Sequence, residues 1–273
     1  MEGVTATETC YRHPGRQTAV HCSNCGRPIC PDCMTPTPVG MRCPECSRQR
    51  TKVRTARTMH AEPQLTYLLI AVNVIVFVAE MATGTGISNA TGNVFRDGAL
   101  YGPAVADGEW WRIVTGGFLH ASVLHILFNM YFIYILGQLL EPVIGSLRFG
   151  VLYFVSLLGG SFGALLLNPN SYTVGASGAA FGLLAAGILA MRARGIDPMQ
   201  SGLGLTLVLN LGITLLIPGI SIGGHLGGLV AGGIAGWLLF DLGERRRDLR
   251  TPALVASLAL GAVAAVGAVA VAA

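Results

Sequence analysis

Polar and charged residues fill the chain up to about residue 63. From there on, apolar runs follow one another with short polar breaks between them. The runs cover about 65–83, 118–139, 147–167, 176–192, 201–217, 222–241 and 252–272. Each approaches the roughly 20 residues that a helix needs to cross a bilayer core. The fourth and fifth are short and glycine-rich, and the last is almost wholly Ala, Val, Gly and Leu. The pattern predicts an all-α polytopic membrane protein with seven spans.

Basic residues orient those spans. Cytoplasmic loops collect Lys and Arg, and an N-terminus on the cytoplasmic side puts sixteen of the eighteen inside. The inner segments then hold the N-terminal basics, Arg148, Arg192, Arg194, Arg245, Arg246, Arg247 and Arg250, leaving Arg96 and Arg112 in the long first outer loop. Composition agrees: 12% of residues are charged and mean hydropathy is +0.59, against about 25% charged in ordinary soluble domains. The net charge of +4 calls for no nucleic-acid partner. The first residues form neither a basic n-region nor an apolar h-region, so no signal peptide is expected.

All seven cysteines lie between Cys10 and Cys46. They set apart residues 1–48 as a module, joined by a basic linker over 49–64 to a membrane core at 65–241 and an extra C-terminal helix at 252–273. The ligand-type residues fall in pairs: Cys10 with His13, Cys22 with Cys25, Cys30 with Cys33, and Cys43 with Cys46. Two intervening residues let a tight knuckle offer two donors to one tetrahedral ion. Four pairs supply two closed sites, so the expectation is two structural zinc ions and no metal in catalysis. A cytoplasmic location argues for metal over disulfides. Cross-braced and sequential pairing both fit the spacing. The arrangement resembles a B-box-type zinc finger, which implies cross-bracing, with pairs one and three on one ion and pairs two and four on the other. A protein partner for this module is favoured over nucleic acid bound through Arg12, Arg16 and Arg27.

Polar side chains within spans are costly and each needs a reason. Span two opens with His120, His125 and Asn129, the last two four apart on one helical face. Span four opens with Gly175, Ser177 and Gly178, where small neighbours leave the hydroxyl uncrowded and a helix N-terminus offers free N–H groups. Span six carries Gly224 and His225, with Gly228 and Gly232 continuing a flat face for a partner helix. Glu80 and Glu141 fall at span ends, where water is expected to reach them. A lone serine in such a helix ordinarily bonds its own backbone, and a lone glycine face is ordinarily packing. Here, however, spans two, four and six run in the same direction. That puts His120, His125, Ser177 and His225 at one depth below the outer surface, able to share a water-filled cavity. A serine within reach of a histidine is the minimal nucleophilic pair.

This set is similar to that of the rhomboid intramembrane proteases: Gly175-x-Ser177-Gly178, His120-x4-His125-x3-Asn129, and Gly224-His225 with Gly228 and Gly232. Trp111-Arg112 in the first loop and Gly137-x3-Glu141 also match. The resemblance covers about residues 65–241 and implies a six-helix core, here with a seventh helix added. It further implies Ser177 as nucleophile and His225 as base in a dyad, with no acid behind it. His125, Asn129 and the Ser177 backbone N–H would form the oxyanion hole, and His120 would be supportive. Phe181 stands where some relatives carry a Tyr that packs on the catalytic histidine. Substrates implied by the resemblance are membrane proteins with a helix-destabilised transmembrane segment, cut near the outer face of a cell membrane.

Overall fold

The computed structural model describes residues 8–37, 40–48, 62–84, 92–243 and 246–273. The basic linker expected over 49–64 lies outside these except for its last three residues, as does Arg245. The chain divides into two compact units, Met1–Met59 and His60–Ala273.

In the first unit, β1 (Glu8–Thr9) pairs antiparallel with β2 (Gln17–Thr18), and β3 (Thr35–Thr37) with β4 (Gly40–Arg42), before a single-turn α1 (Pro44–Ser47). The buried interior is made of six cysteines and Ile29, with Tyr11 and Met34 packed against them. So small a core cannot hold a fold of this size by apolar burial alone. Thr18 links the halves, its hydroxyl donating to the Ile29 carbonyl at 2.8 Å.

The second unit contains α2 (Gln64–Thr83), the loop helices α3 (Asn93–Gly98), α4 (Gly102–Ala106) and α5 (Arg112–Thr115), then α6 (Val123–Ile144), α7 (Ser146–Leu167), α8 (Ser177–Ala193), α9 (Leu203–Leu216), α10 (Ile222–Gly236) and α11 (Arg250–Ala272). A π turn over Trp237–Leu242 extends α10, and among the described residues five helices are long and apolar enough to cross a membrane. The helices at the fourth and fifth expected spans are shorter than the others: α8 has 17 residues and α9 has 14, about 26 and 21 Å at 1.5 Å per residue. Their shortness has local causes. Gly175, at φ +121°, precedes α8; Gly202, at φ +82°, starts α9; and Pro218 and Gly219 follow it. Span two also starts later than the apolar run suggests, because Ser122 caps it and accepts the His125 N–H at 3.3 Å.

Over their most apolar stretches α7 is 67% buried and α10 50%, against 33% for α6, 28% for α2 and 22% for α11. The bundle is therefore built around α7 and α10, and glycines let them touch. A Cβ on Gly228 would run into the Gly178 backbone of α8, and one on Gly232 into that of Gly182. The predicted flat face thus packs on α8 through Gly228 and Gly232. A second face, missed in the sequence pattern, sets Gly223 and Gly227 against Gly163 and Gly159 of α7. Such close backbone approach stabilises helix pairs where no hydrophobic drive exists between helices in lipid.

Two carboxylates correct the expectation of water-reachable span ends: Glu80 and Glu141 are 0% and 1% exposed. Glu141 caps another helix. Its oxygens accept the Leu65 and Thr66 N–H groups at 2.9 and 2.8 Å and the Thr66 and Ser146 hydroxyls at 2.7 and 2.6 Å. The free N–H groups opening α2 are thereby satisfied. Glu141→Ala strands these buried donors, at a cost of about 2 kcal/mol or more. The expected result is a clearly lower melting temperature in detergent for Glu141→Ala, with the catalytic rate per folded molecule retained.

Candidate active site

Three helix N-termini converge on one cavity. Ser122 opens α6, Ala176 precedes α8, and Ser221 caps α10 by accepting the Gly224 N–H at 3.1 Å. His225 follows in the first turn of α10, Ser177 is the first residue of α8, and His125 lies in the first turn of α6. The depth argument thus meets a geometric outcome: His225 Nε2 is 2.8 Å from Ser177 Oγ.

What carries Ser177 to this point is a non-helical approach. Thr173 exchanges two backbone hydrogen bonds with Leu100, at 2.9 and 3.1 Å, and the Gly175 N–H donates to Gly116 O at 2.9 Å. The strand-like stretch before α8 is pinned to the first loop. That loop is organised by Arg112, which is 5% exposed and donates to Glu109 and to the Arg96 and Ala99 carbonyls. Irregular backbone within a membrane is tolerable where it lines a protein-enclosed cavity. The cavity here measures about 920 Å³ and exposes Ser177, His225, His125 and Asn129. Leu124, Phe128 and Phe132 of α6 and Leu209 and Ile213 of α9 are among its apolar walls.

Gly175 brings the second histidine to the serine. A Cβ at that position would lie 2.6 and 2.7 Å from His125 Cε1 and Nε2 and 3.6 Å from Asn129 Nδ2. The polar ends of His125 and Asn129 therefore face the backbone two residues before Ser177. Asn129 keeps its place by donating Nδ2–H to the His125 carbonyl at 3.1 Å. The first N–H groups of α8 have no intrahelical acceptor, so a negatively charged oxygen beside Ser177 meets donors from two helices. His120 is fully buried behind this set. Its ring lies 5.1 Å from that of His125, and its backbone N–H donates to Glu80 at 3.0 Å. Gly178 is tied to packing, lying against Gly160 and Gly224 O. Gly175→Ala would strain a left-handed backbone and drive a methyl into the His125 ring. It is expected to lower turnover by about 100-fold or more, on the scale of a lost oxyanion donor, as measured on a single-span reporter.

Phe181, one turn beyond Ser177, stacks on His225 with centroids 4.2 Å apart and planes 19° from parallel. The other ring nitrogen of His225 meets a residue that carries no sequence signal. Thr214 of α9, 2% exposed, places its Oγ1 2.7 Å from His225 Nδ1 and 2.7 Å from the Asn210 carbonyl oxygen. The Nδ1 partner is thus a hydroxyl where a triad would have a carboxylate. A threonine four residues from a carbonyl reads in sequence as ordinary helix back-bonding.

In the first unit the ligand atoms of Cys10, His13, Cys30 and Cys33 lie within 4.8 Å of one another, as do those of Cys22, Cys25, Cys43 and Cys46. Pairs one and three share a cluster, as do pairs two and four, which is the cross-braced order. All seven cysteines are unbridged. His13 Nδ1 is 3.8, 3.3 and 3.5 Å from the sulfurs of Cys10, Cys30 and Cys33, and Cys25 Sγ is 3.8 Å from Cys43 Sγ. A tetrahedral ion with bonds near 2.3 Å to sulfur and 2.05 Å to nitrogen has edges of about 3.6 and 3.8 Å. The donor set fits such an ion. The Arg27 N–H and guanidinium hold the Cys25 thiol below its usual pKa, which favours the thiolate that metal needs.

Comparison with known proteins reaches the same region. A family profile described as "Rhomboid domain" matches residues 107–242. The chain is 30% identical to the rhomboid protease GluP of Bacillus subtilis (strain 168) over 218 residues, 78% of this chain and 42% of that one. It is 34% identical to rhomboid-like protease 3 of Toxoplasma gondii over 144 residues, 50% of this chain and 54% of that one. With YdcA of Bacillus subtilis (strain 168) it shares 35% identity over 150 residues, 54% of this chain and 75% of that one. The chain thus spans about half the length of the first two of these relatives.

Proposed function

The chain belongs to the rhomboid family, and on that premise we propose that it is an intramembrane serine endopeptidase working through Ser177 and His225. The observation that carries the reading is the 2.8 Å contact between His225 Nε2 and Ser177 Oγ inside a cavity walled by apolar residues. Ser177 Oγ attacks the scissile carbonyl carbon while its proton passes to His225 Nε2. The new oxyanion is met by the Ser177 N–H and by His125 and Asn129, whose polar atoms face Gly175. As the tetrahedral centre collapses the C–N bond breaks, and His225 gives its proton to the departing amine. A water, deprotonated by His225, then attacks the ester and returns Ser177.

Substrates are single-span membrane proteins whose helix weakens near the cavity, cleaved after a small residue. A peptide bond held in a helix is closed to attack, and unwinding it in lipid costs several kcal/mol for each unpaired backbone group. The apolar walls and polar end of the cavity suit a segment that leaves lipid and unwinds. The positive-inside count favours a cytoplasmic N-terminus in a cell membrane, with the cavity opening outward. The first unit is a B-box-like module holding two structural zinc ions, one by Cys10, His13, Cys30 and Cys33, the other by Cys22, Cys25, Cys43 and Cys46. When bound, zinc stabilises this fold and takes no part in peptide hydrolysis; a protein partner for the module remains favoured over nucleic acid. Co-expression with a reporter whose transmembrane segment carries a helix-weakening Gly-Ala pair tests the activity. Cleavage is expected there and is lost when the pair is replaced by leucines; equal cleavage of both would contradict the substrate reading.

A further inference from the structure

We infer that Thr214 is a positioning residue for the catalytic base, fixing the tautomer and orientation of His225 from α9. The inference rests on the reading of His225 as base, and it adds a third helix to the dyad. The Thr214 hydroxyl has one proton and two neighbours at 2.7 Å, the Asn210 carbonyl and His225 Nδ1. A carbonyl oxygen can only accept, whereas a neutral imidazole nitrogen either donates or accepts. The proton therefore goes to Asn210, and the hydroxyl oxygen accepts from Nδ1–H. A neutral imidazole with its proton on Nδ1 has its lone pair on Nε2, and Nε2 is the atom 2.8 Å from Ser177 Oγ. One hydroxyl, locked by its own helix backbone, thus sets which ring nitrogen is the base.

Orientation is fixed by the same contact. Phe181 holds the plane of the ring by stacking at 4.2 Å, but a stack leaves the ring free to rotate within that plane. The bond to Thr214 removes this freedom. Thr214 is 2% exposed, so water does not readily replace it. When His225 takes the serine proton, both ring nitrogens become donors, and the Thr214 oxygen still accepts from Nδ1. The arrangement therefore holds through both protonation states of the base without a buried carboxylate.

The test uses the full-length protein in detergent with ring-¹⁵N-labelled histidine. His225 signals are identified among the six histidines by their loss in His225→Gln. At a pH where the ring is neutral, wild type is expected to show the proton on Nδ1. Thr214→Val, which keeps the shape and removes the oxygen, is expected to give a mixed or Nε2–H tautomer. Its kcat should fall about tenfold to a hundredfold with KM unchanged, the scale of an impaired general base. Thr214→Ser restores the oxygen and should restore both the tautomer and most of kcat. Ser257→Ala, which removes another hydroxyl bonded to its own helix (2.8 Å to Ala253 O), should change neither. A wild-type proton on Nε2 would overturn the inference, as would a Thr214→Val enzyme with wild-type kcat. Should Thr214→Val fail to fold, the wild-type tautomer and the Thr214→Ser rate still decide. The tautomer is read without substrate, so its failure is distinct from failure of the protease reading.

Discussion

Replacing Ser177 with alanine is expected to reduce cleavage of a single-span reporter by about 10⁴-fold or more, since loss of a nucleophile leaves only binding and oxyanion stabilisation. The fold should survive. Ser177 is half-buried at the first position of α8 and makes no capping hydrogen bond there, so the methyl of alanine fits. His225→Ala should cost a similar factor, because the two residues act as one unit. The double variant should be little worse than either single one. Steady-state cleavage by purified protein, compared with melting temperatures, separates lost chemistry from lost fold. Additive losses in the double variant would mean that the 2.8 Å contact is not a catalytic pairing.

The second large effect concerns the N-terminal unit. Cys30→Ser removes a fully buried ligand from the cluster of Cys10, His13 and Cys33. Structural zinc contributes about 10 kcal/mol or more of apparent folding free energy in small fingers, and Ile29 with its few neighbours cannot replace that. The unit is expected to drop from two zinc ions per chain to one or none and to become sensitive to limited proteolysis. Reaction of Ser177 should persist, because neither cluster shares a residue with the site. Metal content by colorimetric release and protease mapping check this. An unaltered zinc content would contradict the reading of Cys30 as a zinc ligand.

How much could be read beforehand depended on whether a residue's signal was local. Ser177, His225, His125 and Asn129 stood out because polar atoms in apolar runs are expensive, and three parallel spans placed them at one depth. The paired ligands were equally plain, while the choice between cross-braced and sequential order needed the fold. Span ends read less well. Hydropathy does not record that Ser122 starts α6 five residues into an apolar run, nor that α8 is preceded by an extended stretch. Glu141 and Glu80 looked wet because sequence places them at span ends without saying which buried N–H groups they accept. Gly223 and Gly227 were hidden beside the motif glycines, since a helix so rich in glycine has two flat faces and the pattern favoured one. Thr214 had no signal at all: its importance comes from a neighbour eleven residues away on another helix.

The most direct measurement of the central claim is labelling of the full-length protein with a fluorophosphonate, followed by mass spectrometry of the adduct. Ser177 is predicted to carry a single covalent phosphonate in wild type, with labelling abolished in Ser177→Ala and strongly slowed in His225→Ala. An adduct that forms at the wild-type rate in Ser177→Ala, or on a different residue, would contradict it.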